Sequence, residues 1–145
     1  MNIMEKRKIT VVVETGKDLF SCFMSGADDL GFGLIGDGTT VRKAMDDFMA
    51  AHDEMRDYYA STGKPFPELE FEFVLDVGAF LNYYPINVTA FAEYIGINAS
   101  QLRRYASGLC QPSAKTIAKI RQGLDKVGHD IVGGRLVDRP VLQYV

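Results

Sequence analysis

Residues 89–108 constrain this chain more than any other segment, because their small and flexible residues lie where two crossed helices need them. Ala92 is small enough to let a second helix pack closely, and Gly96 can adopt the left-handed conformation of a tight turn. The apolar residues are spaced so that they can face one core: Phe91, Ile95, Leu102 and Tyr105. The pattern predicts a helix-turn-helix, and the alternative is two amphipathic helices of an ordinary bundle.

The charges divide the chain into an acidic part and a basic part. The 145 residues carry 16 Lys and Arg against 19 Asp and Glu, a net charge of −3. Residues 1–86 carry a net charge of −7, residues 87–126 carry +4, and residues 127–145 are neutral. A basic module suits DNA phosphates and an acidic module suits a different partner, although charges on solvated faces also cluster by chance.

Composition indicates a globular protein with 47% hydrophobic and 24% charged residues, enough for one sizeable core or two small ones. No apolar run approaches the roughly 20 residues of a membrane span, so we expect no membrane segment and no export signal. Cys22 and Cys110 lack metal-ligand spacing and are expected to be reduced thiols of a cytoplasmic protein. His52 and His129 are equally isolated, and we therefore expect neither a metal site nor a cofactor.

Residues 1–76 predict one α+β domain with the element order β-β-β-α-β. The strands are predicted over residues 9–14, 19–24, 30–35 and 69–75, and the helix over residues 41–59. Alternation identifies the last strand, and apolar residues at steps of three and four identify the helix. Because one helix cannot cover both sides of a sheet, the other face must be wet or meet a partner.

Residues 77–134 predict an all-α domain, and residues 135–145 an extended tail of unknown role. The helices are predicted over residues 77–84, 88–95, 99–107 and 113–133. Asp76 can cap the first helix, and Asn98 with Gln101 forms a capping box at the third. The domain boundary is therefore expected near residue 76.

In a helix-turn-helix the second helix presents its exposed residues to base edges, so the core residues Leu102 and Tyr105 cannot read DNA. Ala99 suits a thymine methyl, Gln101 an adenine, and Arg104 a guanine or a phosphate. The predicted DNA-binding residues are Thr89, Asn98, Ala99, Ser100, Gln101, Arg103, Arg104, Ser113 and Lys115. Thr89, Ser113 and Lys115, at the starts of the second and fourth helices, are assigned to phosphates. Because one such module makes few contacts, we expect at least a dimer on double-stranded DNA.

Four motifs, taken in order along the chain, resemble the HicB family of antitoxins in the form with a C-terminal Cro/repressor-type domain. They are Asp-Leu-Phe-Ser-Cys at residues 18–22, Gly-Asp-Gly-Thr-Thr-Val at 36–41, Phe-Leu-Asn-Tyr-Tyr at 80–84 and Ser-Gly-Leu-Cys-Gln-Pro at 107–112. The resemblance implies a partial RNase H-like sheet that binds and masks a small HicA-type mRNA-cleaving toxin. It also implies repression of the chain's own operon.

Two departures from the family pattern concern the toxin-binding part. Many members carry a Pro-rich stretch before the helix and acidic residues in its first turn, whereas this chain has Ala-Asp-Asp-Leu at residues 27–30 and then Arg42 and Lys43. Because a HicA-like toxin grips RNA and is expected to be basic, the candidate toxin contacts are acidic. They are Asp46, Asp53, Glu54, Asp57, Glu70 and Glu72. The alternative is that these residues are solubilising charges.

The sequence thus predicts an antitoxin that neutralises a HicA-like toxin and represses its own operon. The alternative is a stand-alone transcriptional regulator whose N-terminal module binds a ligand or only dimerises. A metal-dependent nuclease must also be weighed, because Glu14, Asp53 and Asp76 lie on elements where an RNase H-like nuclease holds its metal ions. Turn and cap roles explain Glu14 and Asp76, and we therefore expect no enzymatic activity.

Overall fold

The computed structural model describes residues 6–138, which form a four-stranded mixed sheet and five α-helices. The α+β class predicted from the sequence is confirmed. The chain divides into two compact units, with the division between Gln111 and Pro112. The boundary predicted near residue 76 lies inside the first unit, so the sheet and the three helices that follow it belong to one body.

The sheet contains β1 (Arg7–Thr15), β2 (Phe20–Ser25), β3 (Ile35–Gly38) and β4 (Leu69–Leu75) in the order β3-β2-β1-β4. Strand β2 is antiparallel to β1 and β3, whereas β4 is parallel to β1. A tight turn joins β1 to β2, in which the Gly16 amide donates to the Leu19 carbonyl at 2.8 Å. The predicted hairpin and the predicted element order are both present.

The third strand lies later than the predicted residues 30–35, which is a correction. The chain first makes a short 3-10 turn at Asp28–Leu30, and Gly31 follows it with a left-handed φ of 81°. The strand then needs glycines, because a Cβ at Gly36 would overlap the backbone of Phe48 and a Cβ at Gly38 would meet Ala44. Close approach of a helix therefore sets the position of β3, and a local pattern does not reveal that contact.

Helix α1 (Val41–Ser61) covers one face of the sheet. The Thr40 side chain caps it by accepting from the Lys43 amide at 3.1 Å. Phe48 is fully buried, and its ring packs edge-on against Phe71 and Phe73 of β4, at centroid distances of 5.0 and 5.9 Å. The inward side chains of β1, which include Val11, complete this core.

The opposite face of the sheet is exposed. Along β4 the outward side chains Glu70, Glu72 and Val74 are exposed, while those between them are half-buried beneath α1. Lys8 and Glu14 of β1 are exposed on the same side. We refer to this side as the open face. An uncovered face was expected, because a single helix can cover only one side of a sheet.

Three short helices complete the first unit: α2 (Val77–Tyr83), α3 (Val88–Ile95) and α4 (Ala99–Ala106). Each begins with a side-chain cap, supplied by Asp76, Asn87 and Asn98 in turn. These caps satisfy backbone N–H groups that have no partner within their own helix.

The second unit contains α5 (Ala114–Gly133), which Ser113 caps. Residues 134–137 are neither helix nor strand, and the rest of the predicted tail, beyond residue 138, lies outside the described residues. No helix within residues 6–138 combines the length and the hydropathy that spanning a membrane requires.

Candidate nucleic-acid interface

A tight turn joins α3 to α4. Gly96 adopts the left-handed conformation with φ 75° and ψ 33°, and its amide donates to the Ala92 carbonyl. The Ile97 amide donates to the same carbonyl at 2.9 Å. Ala92 is fully buried, and a larger side chain there would separate the helices. The sequence therefore identified Gly96 as the turn residue and Ala92 as a small, buried position.

The inner sides of α3 and α4 form a small core. Phe91, Leu102 and Tyr105 are buried, and Ile95 is half-buried. These are the residues predicted to face inwards. Because their side chains are occupied in packing, α4 meets solvent through its remaining positions.

One face of α4 presents two arginines and a serine to solvent. Ser100, Arg103 and Arg104 are exposed, and their spacing of three and four positions places them together on the helix surface. Ala99 lies beside them and is half-buried. This set, which we call the α4 face, is able to make hydrogen bonds and ion pairs with an anionic partner.

Gln101 and Asn98 hold the start of α4. The Gln101 side-chain amide donates to Cys110 Sγ at 3.7 Å, so this half-buried side chain is directed towards the segment that follows the helix. The Asn98 side chain accepts from the Gln101 amide at 2.9 Å, as an N-cap does. Both of these predicted DNA-binding residues therefore have contacts within the protein.

Arg103 is linked to the start of α3, because its Nη1 donates to the Thr89 hydroxyl at 3.0 Å. Thr89 lies in the first turn of α3, where backbone N–H groups attract anions. The bond places a guanidinium beside that helix terminus, an arrangement suited to a phosphate group. The sequence nominated both residues but not their pairing, since they are 14 positions apart.

Ser113 and Lys115, also predicted to contact phosphates, belong to the second unit. Both are exposed at the start of α5. The Ser113 hydroxyl caps the helix by accepting from the Thr116 amide at 3.2 Å.

The end of β1 anchors the helices of the first unit. Asp76 accepts from the Thr15 amide at 2.8 Å and from the Thr15 hydroxyl at 2.7 Å, and it caps α2 through the Ala79 amide. Asn82 of α2 donates to the carbonyl of Ala106, the last residue of α4, at 2.8 Å. These bonds run from the sheet through α2 to α4, and the sequence did not identify Thr15 or Asn82.

The last turn of α4 lies close to α2, and Gly108, just after that helix, lies close to the end of β1. A Cβ at Gly78 would lie 2.8 Å from the Tyr105 carbonyl oxygen, and a Cβ at Gly108 would lie 2.6 Å from the Gly16 carbonyl oxygen. Gly108 also has a left-handed φ of 78°. Glycine at position 78 lets the end of α4 pack closely on α2, and glycine at position 108 lets the chain after α4 pack closely on the end of β1.

The predicted toxin contacts lie on two opposite sides of the sheet. Glu70 and Glu72 are exposed on the open face, whereas α1 packs on the other face and carries the remaining four: Asp46, Asp53, Glu54 and Asp57. Of these, Asp53 contacts His52 Nδ1 at 3.0 Å and Arg56 at 3.6 Å. The six residues therefore do not form one continuous surface.

The three carboxylates considered for a nuclease do not converge. Glu14 is on the open face, Asp53 is on α1, and Asp76 is engaged by Thr15 and Ala79. Within residues 6–138 no three His, Cys, Asp or Glu side chains lie close enough to hold a metal ion.

Comparison with known protein families, curated proteins and solved structures finds no match to this chain.

Proposed function

We propose that this chain is an antitoxin that represses its own operon through a DNA-binding helix-turn-helix formed by α3 and α4. The observation that carries the proposal is the α4 face: Ser100, Arg103 and Arg104 are exposed together, while Leu102 and Tyr105 behind them are buried. The left-handed turn at Gly96 supports it, because that turn sets the angle between crossed helices.

In this proposal α4 enters the major groove. Ser100 and Arg104 meet base edges, with Arg104 suited to the paired acceptors of guanine. Arg103 and Thr89 bind a phosphate and fix the register of the protein on the duplex. Two copies bind adjacent half-sites, since one such module offers few contacts.

The antitoxin part of the proposal assigns the sheet domain to a HicA-like toxin. The β-β-β-α-β order supports the partial RNase H-like sheet that the resemblance implies. The net charge of −7 over residues 1–86 supports a basic partner, because complementary charge speeds and orients association. The alternative remains a stand-alone regulator whose sheet domain binds a ligand or only dimerises.

The DNA-binding part is tested by measuring the affinity of the full chain for the duplex upstream of its own gene and for a shuffled duplex of equal length. At fixed salt we expect a preference of roughly a thousandfold or more for the upstream duplex. Equal affinity for the two duplexes would show that no operator lies there.

The antitoxin part is tested by asking whether a gene adjacent to that of this chain encodes a small basic protein, and by co-expressing that protein with this chain; the absence of such a gene would count against the assignment. We expect that protein to stop growth when expressed alone, and to become harmless and co-purify when this chain is present. Growth that this chain does not restore would remove the antitoxin assignment and favour the stand-alone regulator.

A further inference from the structure

Four apolar side chains form a continuous row across the open face, one from each strand. Strand register places Ile35 beside Phe23, Phe23 beside Val12, and Val12 beside Val74. Ile35 is 65% exposed, Val74 39% and Phe23 37%, while Val12 at the centre is half-buried. We call these four residues the apolar row. A band of this kind, running at right angles to the strands, has the character of an interface core.

Carboxylates flank the apolar row on both sides. On one side Asp37 and Glu14 both lie in register with Ser21 of β2. On the other side are Glu72 and, one step further along β4, Glu70. Lys8, in register with Glu70, is the basic residue on this face among the described strands, so the surroundings of the row carry a negative charge.

A cleft opens at the β3 end of the row. It has a volume of about 370 Å³, and Phe23 and Ile35 of the row line it together with Phe32 and Leu34 from the loop before β3. A cleft of this size can receive a protruding apolar side chain, and such anchors provide much of the binding energy of protein interfaces.

We propose that the apolar row is the docking surface for a small basic protein, which lays an apolar ridge along the row and sets lysines and arginines against the flanking carboxylates. The proposal rests on the antitoxin part of the proposed function and places the toxin on the open face. It assigns no toxin contact to the acidic residues of α1, because α1 covers the other side of the sheet.

The flanking charges favour this occupant over a second copy of the chain. Two open faces packed together would bring both sets of Asp37, Glu14, Glu70 and Glu72 into one interface, with one lysine from each copy to offset them. Like charges in an interface oppose association, whereas a basic partner satisfies the same carboxylates.

The test uses the adjacent small basic protein that meets the co-expression criterion above, and measures its binding to full-length variants with a lysine in the row. Ile35→Lys and Val74→Lys are compared with matched controls on α1, Tyr58→Lys and Met49→Lys. The controls replace apolar residues of similar exposure, 59% and 36%, on the other side of the molecule. We expect the row variants to bind at least tenfold more weakly, while the controls bind like the unchanged chain.

Charge reversal provides a second test that leaves the apolar packing unchanged. Glu14→Lys and Glu72→Lys are expected to weaken binding and to reduce its dependence on salt, because each removes an attraction and adds a repulsion.

Full binding by the row and charge variants, with loss in the α1 controls, would overturn this inference and leave the antitoxin function standing. If the unchanged chain does not bind the basic protein, both this inference and the antitoxin function are rejected. Row variants that turn a dimer into a monomer but still bind the basic protein would identify a second copy as the occupant and overturn the inference.

Discussion

Asp76 carries three interactions through one carboxylate. It caps α2, and it also holds the amide and the hydroxyl of Thr15 at the end of β1. The cap was predictable because the acceptor lies directly before a helix. The bonds to Thr15 were not predictable from the sequence, because they join residues 61 positions apart and depend on the parallel pairing of β1 with β4.

Replacing Asp76 with alanine should lower the free energy of unfolding by about 2–4 kcal/mol, because the helix loses its cap and the buried Thr15 hydroxyl loses its acceptor. Urea denaturation followed by circular dichroism measures the loss. Asp57→Ala is the control, since this exposed residue has only a long contact with Arg56 and should change stability by less than about 0.5 kcal/mol. Equal effects of the two substitutions would contradict the role assigned to Asp76.

Cys22 is fully buried, and burial raises the pKa of its thiol to about 11, with smaller contributions from the negative charges of Asp37 and Asp47. The fold therefore favours the neutral thiol. Its contribution to stability is present below the ordinary thiol pKa and is lost as the pH rises through about 11.

The protection of Cys22 predicts a difference in thiol reactivity. In a Cys110→Ser variant at about pH 8, iodoacetamide should leave Cys22 unmodified until the chain is unfolded in urea, because only the accessible thiolate reacts. The Cys22→Ser variant, which retains the half-buried Cys110, is the comparison and should react in the native state. Fast native alkylation of Cys22 would show that the sheet opens readily at this position.

The elements with strong local signals were predicted closely. Strand β4 has the predicted bounds because its alternation is strict, and α3 has them because a cap and a glycine mark its two ends. Strand β3 was displaced because its position depends on Gly36, which lets α1 approach the sheet. Local patterns thus predicted the bounds of elements that have their own caps and turns. They did not predict the bounds of β3, because packing against α1 determines its position.

Two glycines should respond oppositely to the same substitution. At Gly96 an alanine would have open space but an unfavourable left-handed backbone, so Gly96→Ala should destabilise the chain by about 1–2 kcal/mol. Gly128 lies inside α5, where an added methyl group would also meet open space, so Gly128→Ala should stabilise the helix by about 0.5–1 kcal/mol. Thermal denaturation of both variants tests this. A stabilising Gly96→Ala would contradict the turn geometry that supports a helix-turn-helix.

The molecule as a whole separates acidic and basic segments, and the sequence anticipated this from the net charge of each. The apolar row was not predictable, because its four residues come from four strands and meet only through register. The sequence also assigned the sheet and the helices to separate domains. Asp76 and Asn82 bond the sheet to α2 and α4, so the α4 face and the open face lie in the same compact unit, whereas α5 belongs to the second.

The central claim, that the α4 face binds operator DNA, is tested most directly by the affinity of Arg104→Ala for the duplex upstream of the gene, measured by fluorescence anisotropy at fixed salt. Arg56→Ala, which removes an exposed arginine from α1, is the matched control. We predict that Arg104→Ala weakens binding by about 1–3 kcal/mol and narrows the preference over a shuffled duplex, while Arg56→Ala binds normally. Unchanged affinity and preference in Arg104→Ala would contradict the claim.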